Sequence, residues 1–548
     1  MSNESSSVPR RATRLFNAAL TKVGLGTVGM LALATLASRA FGFLRWMAQS
    51  AFVGSGSLAG AYASANQVPN IIFEIVIGGA LSGITVPLLA GLVKRGLKDD
   101  TSRIASALLT WVSLTLSILA VGVCAGAPLI AQLIPVPADT VIADQHALLT
   151  TFLRIFAWQI PLYGVSVVLT GTLQAHKRFI WPALMPLFSS LVTIGTFVVY
   201  AAVPDPHAGV LVLGWGTTLG AASLSLPLLV PVSRLGVRLR PTLNLRRSEA
   251  RRAWALGMSG VGALIAQQVS VVAGLWALRT YGEGGTVAIF QYTQAVYWLP
   301  HAVFIYPLVT AAFPILSEHG EQGCSSIFER TCARSAQRVS VGALAGVSLL
   351  VAMAPVAARF FNLLTPVPGM HTALCVMAPS LWGYALLYFG QRALLAVGQP
   401  RRAWQVAALS WLGVAAATLV LARALTPAEG SGYWAITAFA AAHTVGLTLG
   451  GLVVLFTIRR QCSPACLSGY WGVLVRAAAL LIPLSALCYA CTRLIVTWGQ
   501  GFLQGLLACI AAALVGIGLL VACILTVGSK SVLAILRTRI SESDEDDC

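Results

Sequence analysis

Charged residues are scarce in this sequence. They make up 10% of the 548 residues, whereas soluble domains average about 25%. Hydrophobic residues make up 57%, and the mean hydropathy is +0.81. This balance excludes an ordinary soluble domain and predicts a polytopic membrane protein. Acidic residues are fewer than basic residues, which gives the chain a net charge of +18. The basic residues lie between apolar segments, so their placement indicates membrane topology rather than nucleic-acid binding.

Catalytic signatures are also lacking. The sequence has no glycine-rich phosphate loop, no HExxH motif and no pair of carboxylates on one helix. The Asp99–Asp100 pair is typical of a solvated turn. Cysteines are scattered through apolar segments, and Cys462 and Cys466 lack the second ligand pair that a zinc site needs. We therefore expect no enzyme activity, no catalytic residue, no cofactor and no metal.

Long apolar segments fill most of the chain. About 20 apolar residues span a bilayer as a helix, and fourteen segments reach that length. The predicted spans are 24–52, 60–93, 103–134, 145–174, 179–203, 208–235, 254–281, 285–317, 336–361, 372–398, 402–425, 432–458, 468–496 and 502–528. Several are long enough to require tilt, kinks or extension beyond the bilayer. The candidate kink positions are Pro69, Pro87, Pro128, Pro161, Pro300 and Pro314.

The loops between these segments alternate between many and few basic residues. Of the 36 Lys and Arg residues, 27 lie at the two termini or in every second loop between segments. The other loops, such as VGSGSL, PADTVIADQH and WGQG, contain almost none. Because positively charged loops stay in the cytoplasm, we expect both termini to be cytoplasmic and the number of spans to be even.

Two motifs recur along the chain. VPNIIFEIVIGGALSGITVPLL at position 68 resembles LPHAVFIYPLVTAAFPIL at 299, and LQAHKRF at 173 resembles LAVGQPRRAW at 395. Each second copy lies six predicted helices after the first, which indicates two six-helix lobes of parallel topology and two additional helices. The predicted division is an N-terminal cytoplasmic segment 1–23, an N-lobe 24–235, a basic linker 236–253, a C-lobe 254–458, the last two helices 468–528 and an acidic cytoplasmic tail 529–548.

Two arginines interrupt the first apolar segment, in the stretch SRAFGFLRW. A charge at mid-bilayer costs about 2.5 to 3.5 kcal/mol on insertion scales. Arg39 lies about 22 Å along a helix that starts near Gly24, and Arg45 about 9 Å further. Six residues turn a straight helix by about 240°, so Gly42 is a candidate bend. Arg45 either reaches the outer interface or lines a polar cavity. Arg39 either pairs with Glu74 or lines that cavity, where guanidinium groups suit a phosphate-containing anion.

Other polar side chains lie on the second, seventh and eighth predicted helices. Asn66, Asn70 and Glu74 are spaced i, i+4, i+8 and form one polar stripe. The later two helices contribute Gln267, Gln268, Gln291, Gln294 and His301. Two roles stay open for these residues, hydrogen bonding between helices and lining of a cavity. The candidate substrate-binding residues are Arg39, Arg45, Asn66, Asn70, Glu74, Gln267 and Gln294.

Several stretches resemble a known family. SRAFGFLRW, ANQVPN, GGALSGITVPLL and YWLPHAVFIYPLVTAAFPILSEHG are similar to the lipid II flippase family, MurJ, also called MviN. That family belongs to the multidrug, oligosaccharidyl-lipid and polysaccharide exporters. The similarity is most specific in the first two predicted helices and the eighth. The form YTQAVYWLPH is most similar to actinobacterial members.

The resemblance implies an all-α protein with two six-helix lobes around a V-shaped central cavity, and two C-terminal helices that form a lipid-facing groove. It implies a flippase of the bacterial cytoplasmic membrane. Its cargo would be the undecaprenyl-diphosphate-linked peptidoglycan precursor lipid II, carried from the inner to the outer leaflet by alternating access. The family's diphosphate-binding arginines correspond to Arg39 and Arg45.

Three positions depart from the pattern of many family members. The acidic residue that often follows the second arginine is Trp46 here. Many members carry an arginine in the second helix where this sequence has Phe73–Glu74. Many also carry an arginine in the eighth helix where this sequence has Gln294–Ala295. The predicted cavity is therefore less positive than is usual in the family, and Glu74 is a candidate to offset one arginine or to take up a cation or proton.

Two other functions stay open. One is export of another amphiphile, such as a drug or another lipid-linked polysaccharide. The other is a non-transporting scaffold of wall synthesis, which would need a larger cytoplasmic appendage than the short acidic tail. The expected partners are lipid II and membrane lipids, and not nucleic acid. Cell-wall synthesis or division proteins are candidate partners, and the chain is expected to act as a monomer.

Overall fold

The computed structural model describes residues 27–76, 82–244, 261–320, 325–498 and 501–526. Within these ranges the regular structure is helical throughout and contains no strand. The predicted all-α membrane architecture is therefore confirmed. The predicted N-terminal segment, the second half of the basic linker and the acidic tail lie outside the described residues.

The helices described before residue 245 follow the first six predicted spans. They are α1 (Thr27–Phe52), α2 (Ser57–Ile75), α3 (Ser82–Lys94), α4 (Lys98–Leu133), α5 (Ile142–Phe156), α6 (Gln159–Ala175), α7 (Ile180–Ala202), α8 (Pro206–Ser225) and α9 (Leu229–Arg234). A single 3₁₀ turn joins α8 to α9.

The helices described after residue 260 follow the remaining eight. They are α10 (Val261–Thr280), α11 (Thr286–Pro300), α12 (Tyr306–Gly320), α13 (Ser326–Leu364), α14 (Met370–Met377), α15 (Ser380–Ala396), α16 (Pro400–Leu425), α17 (Gly432–Gln461), α18 (Tyr470–Val496) and α19 (Phe502–Thr526).

The number of spans is roughly consistent with the predicted fourteen. Eleven helical segments of the described chain are long and apolar enough to cross a bilayer, and the α14–α15 pair, bent by 44°, makes a twelfth. The two remaining predicted segments correspond to α1, which is 26 residues long, and to α2 with α3, which flank residues 77–81. Each of the fourteen predicted segments therefore contains helix.

Prolines mark two of the breaks within the predicted spans. The fourth span divides between α5 and α6, and Pro161 lies in the first turn of α6. Proline is tolerated there because backbone N–H groups of the first turn have no hydrogen-bond partner within the helix, so that the missing N–H breaks no bond. The eighth span divides after Pro300, where five residues form a π-helical turn before α12. By contrast, α4 continues through Pro128 without a break.

The chain forms two compact units that are not contiguous in sequence. The described residues of the first unit lie within 1–49, 80–124 and 155–257, and those of the second lie within 50–79, 125–154 and 258–548. The predicted division into two sequential lobes stays a prediction.

The core of the first unit lies between α3, α4, α6 and the chain around α9. Leu89, Leu169 and Leu228 are completely buried there. Gly171 of α6 allows α3 to approach closely, because a Cβ at that position would lie 2.6 Å from the Cβ of Thr85. Small residues at such contacts are typical of helix packing in membranes.

The second unit packs its long helices through small and hydroxyl-bearing residues. A Cβ at Gly450 of α17 would clash with the side chain of Ser410 of α16. Between α13 and α18, Ser348 Oγ donates to the Leu481 carbonyl at 3.2 Å, and Thr492 Oγ1 donates to the Ala352 carbonyl at 2.8 Å. Such hydrogen bonds hold helices together where lipid provides no hydrophobic driving force.

Candidate functional site

The two arginines of the first segment both lie on α1, within the first unit. The helix is continuous from Thr27 to Phe52, so the six residues between Arg39 and Arg45 separate their side chains by about 9 Å along the axis and about 240° around it. Arg39 is exposed and Arg45 is half-buried. The two arginine side chains therefore leave α1 in different directions around its axis.

A cation–π contact orients the second arginine. The guanidinium carbon of Arg45 lies 4.8 Å from the centroid of the Trp46 ring. An aromatic face attracts a guanidinium by about 0.5 to 2 kcal/mol, more when the pair is desolvated. Trp46 thus stabilises the Arg45 charge without neutralising it, and the guanidinium keeps its donors for an anion.

The polar stripe of α2 lies in the second unit. Asn66 and Asn70 are half-buried, and Glu74 is exposed at the end of the helix. Gln291 of α11 joins that helix to α2 beside the stripe. Its Nε2 donates to the Ala63 carbonyl at 3.4 Å and to Gln67 Oε1 at 3.5 Å. For Gln291, the role of hydrogen bonding between helices is therefore observed.

A group of aromatic rings surrounds the π-helical turn after α11. The ring of His301 lies 5.2 Å from that of Tyr384 and 5.9 Å from that of Tyr388. Arg392 continues the row along α15, and its NH2 group donates to the Tyr388 hydroxyl at 2.6 Å. Of this group the sequence pointed only to His301, although the i, i+4, i+8 spacing of Tyr384, Tyr388 and Arg392 on α15 is a visible signal.

The remaining two candidate residues lie on neighbouring helices of the second unit. Gln267 of α10 and Gln294 of α11 are both half-buried. The second unit therefore contains Asn66, Asn70, Glu74, Gln267 and Gln294, and the first unit contains Arg39 and Arg45. Among the described residues, no three His, Cys, Asp or Glu side chains are arranged to hold a metal ion.

Comparison with known families identifies the chain. A sequence model of the family "Lipid II flippase MurJ" matches residues 49–512. The chain belongs to the MurJ family.

The curated relatives of the family match over part of their length. A protein of Burkholderia cenocepacia named "Lipid II flippase MurJ" is 27% identical over 313 residues, which cover 56% of this chain and 57% of the relative. A "Probable lipid II flippase MurJ" of Synechocystis is 30% identical over 225 residues, covering 39% and 41%. The chain spans about half the length of the curated relatives it matches.

Solved structures agree with the MurJ assignment at the level of fold. A structure titled "Lipid II flippase MurJ, inward closed conformation" aligns with a TM-score of 0.68 and 15% identity, covering 90% of this chain and 97% of that one. An inward-facing multidrug resistance transporter of the MATE family aligns with a TM-score of 0.60 and 14% identity, covering 81% and 96%. This chain is therefore a multi-pass membrane protein with the fold shared by MurJ and MATE transporters.

A buried arginine joins helix ends that the sequence did not connect. Arg279, at the end of α10, is completely buried. Its Nε donates to the Pro135 carbonyl at 2.9 Å and its NH2 to Gln145 Oε1 at 3.1 Å. The backbone N–H of Gly284 donates to Asp139 at 2.9 Å. Arg279 therefore anchors the end of α10 to the loop before α5 and to α5 itself.

Further hydrogen bonds connect the loops at the same end of the second unit. The Tyr292 hydroxyl donates to the Gly54 carbonyl at 2.6 Å, and Ser55 Oγ donates to the Pro366 carbonyl at 2.7 Å. The Ser431 N–H donates to a carbonyl of the loop after α10. We call the loops joined in this way the loop network: 53–56, 134–141, 281–285, 365–369 and 426–431.

The position of Glu74 makes a testable prediction. Glu74→Gln removes the charge at the exposed end of the α2 stripe while keeping the side-chain volume, so we expect transport to fall more than folded yield does. Complementation of growth, with protein levels measured in parallel, checks this. Glu429→Gln, at an exposed carboxylate of the loop network, is the matched control and should behave as the parent. Normal growth of the Glu74 variant at normal levels would show that this carboxylate is dispensable.

Proposed function

We propose that this protein is a lipid II flippase that moves undecaprenyl-diphosphate-linked cargo from the inner to the outer leaflet by alternating access. The observation that carries the proposal is the pair Arg39 and Arg45 on α1, in a chain that belongs to the MurJ family. The names of the curated relatives support lipid II as the cargo.

The arginines suit this cargo for a physical reason. A diphosphate offers several acceptor oxygens, and a guanidinium donates two parallel, charge-assisted hydrogen bonds to such a group. A buried or membrane-embedded arginine is costly unless it meets an anion or a polar partner. We propose that Arg39 and Arg45 bind the diphosphate in turn, because they lie at different depths along α1. The substrate-facing roles of Asn66, Asn70, Glu74, Gln267 and Gln294 are part of the same proposal.

Depletion of the protein tests the proposed function. If the cargo is lipid II, depletion should cause lipid II to accumulate in the membrane and should stop wall growth. Extraction of membrane lipids and mass analysis of the lipid-linked precursors measure this directly. Accumulation of a different lipid-linked precursor, with lipid II unchanged, would contradict the proposal.

We further propose that the chain lies in the bacterial cytoplasmic membrane with both termini in the cytoplasm. The alternation of basic loops supports this orientation. It predicts that a membrane-impermeant thiol reagent, applied to intact cells, misses a cysteine placed at Ser248 or Arg178 and labels one placed at His207. Arg178 and His207 are both exposed, so access to the reagent depends on the side of the membrane. Labelling at position 248 above the parent's background would refute the orientation.

A second candidate function is export of a different amphiphile. The structural similarity to a multidrug MATE transporter favours it, because the two families share a fold. The depletion experiment separates the two candidates. A drug exporter would leave lipid II levels unchanged and would alter drug sensitivity instead.

A further inference from the structure

An extended segment, residues 237–244, follows α9 and lies along α4 in the first unit. Three hydroxyl side chains of α4, Ser102, Ser106 and Thr110, are spaced four residues apart and therefore lie on one face. They accept hydrogen bonds from alternate backbone N–H groups of the segment at 3.2, 3.1 and 3.1 Å. We call residues 237–244 the docked segment. Its backbone is fixed to α4 by these bonds, independently of its own side chains.

The sequence explains why the chain leaves α9 in this conformation. Gly236 has φ +80°, a left-handed conformation that glycine adopts without strain at a helix C-terminus. Pro241 restricts the residue before it to extended conformations. Side chains of an extended segment alternate in direction, so Val237 is buried in the core while Arg238 and Arg240 are exposed.

The change from charged to apolar residues along α4 places the docked segment at the expected depth of the lipid headgroups. The first turns of α4 are charged, and the apolar part of the helix begins near Ile104. Trp111, a residue type enriched at the membrane interface, donates its indole N–H to the Leu243 carbonyl at 3.3 Å. Arg238 and Arg240 are therefore held where phosphate groups of the adjacent leaflet lie.

Two adjoining cavities flank the docked segment. The first, of about 500 Å³, extends along α4 from Ser106 to Ser117 and is largely apolar. The second, of about 600 Å³, is lined by Ser233, Gly236 and Arg238. Both are lined in part by Leu229, Leu239 and Arg240. The apolar chain of an anionic amphiphile would therefore fit the first cavity, and its anionic head would meet the arginines that line the second.

We propose that the two cavities bind one anionic phospholipid of the leaflet on the linker side, with an acyl chain along α4 and the phosphate at Arg238 and Arg240. Charge complementarity favours this occupant, because both arginines are exposed at headgroup depth. The first cavity opens beside side chains that face lipid, since Leu114 and Ile118 are 46% and 66% exposed. This site is separate from the proposed transport of lipid II.

Lipid binding by the full-length protein tests this proposal. The delipidated protein is titrated with phosphatidylglycerol or phosphatidylcholine of identical chains, and bound lipid is counted by native mass spectrometry. We expect preferential binding of phosphatidylglycerol. The double variant Arg238→Gln with Arg240→Gln should weaken that binding about 25-fold, at about fivefold for each interfacial arginine. The docked segment should remain in place, because its hydrogen bonds to α4 use backbone groups.

Two further variants make the result specific. Arg178→Gln removes one exposed arginine of the same unit without touching either cavity, and it should bind phosphatidylglycerol as the parent does. Ser113→Phe fills the first cavity and should weaken binding of the long-chain lipid.

Equal binding of the two lipids would overturn the proposal, as would parental binding by the double variant with unchanged thermal unfolding. Competition by soluble glycerol phosphate at the same concentration as the lipid would show a site for phosphate alone, which also overturns it.

Discussion

Replacing Arg39 with alanine is expected to abolish flipping while the protein remains inserted in the membrane. Arg39 is exposed on α1 within the first unit, at a position predicted to lie inside the hydrocarbon. Each charge-assisted hydrogen bond contributes about 1.5 to 3 kcal/mol, so loss of two should reduce transport by about 100-fold or more. Arg39→Lys keeps the charge but loses the planar fork, and it should retain part of the activity. Complementation of wall synthesis at matched protein levels measures both.

A double variant separates substrate binding from charge neutralisation. If Arg39 served only to balance Glu74, then Arg39→Ala combined with Glu74→Ala would restore what the single change lost. We expect no such rescue. Arg45→Ala should show the same defect in milder form, since Arg45 lies further along α1 towards the predicted outer side and is also held by Trp46. Arg423→Ala, at an exposed arginine near the end of α16, is the matched control and should be fully active.

Replacing Arg279 with glutamine is expected to destabilise the second unit by about 3 kcal/mol. The change removes donors from the Pro135 carbonyl and from Gln145, and buried acceptors left without a donor are costly. Thermal unfolding of the purified protein, followed with and without the change, measures the loss.

A double-mutant cycle shows whether the loss comes from this contact. Arg279→Gln and Gln145→Leu should be non-additive by about 1 kcal/mol or more, because the two side chains contact each other. Arg423→Gln removes an exposed arginine and should change stability by less than about 0.5 kcal/mol. Parental unfolding of the Arg279 variant would contradict the role of this arginine as the anchor of the loop network.

Local patterns in the sequence were sufficient to predict the spans. Apolar length and the alternation of basic loops predicted helices that the structure confirms, from α1 to α19. Proline positions predicted two of the breaks, beside Pro161 and after Pro300. These features depend on residues close together in the chain, so they are visible before the fold is known.

Contacts between distant segments were not predictable in the same way. Arg279 donates to the carbonyl of a residue 144 positions away, and a backbone acceptor leaves no signature in the sequence. The same holds for the docked segment, whose partners on α4 are hydroxyls that also suit an ordinary membrane helix. The charges in the first apolar segment were enough to single out Arg39 and Arg45 but left several roles open for them, and the resemblance to the MurJ family supplied their expected role in binding a diphosphate.

The access of lipid II to the outer surface tests the central claim most directly. Cells depleted of the protein are supplied with labelled precursor, and a membrane-impermeant enzyme that cleaves lipid II is added outside. If the protein flips lipid II, depletion should leave lipid II protected from cleavage, the parent protein should restore cleavage, and the Arg39→Ala variant at equal level should not. Unchanged cleavage of lipid II in depleted cells would show that the protein is not the flippase.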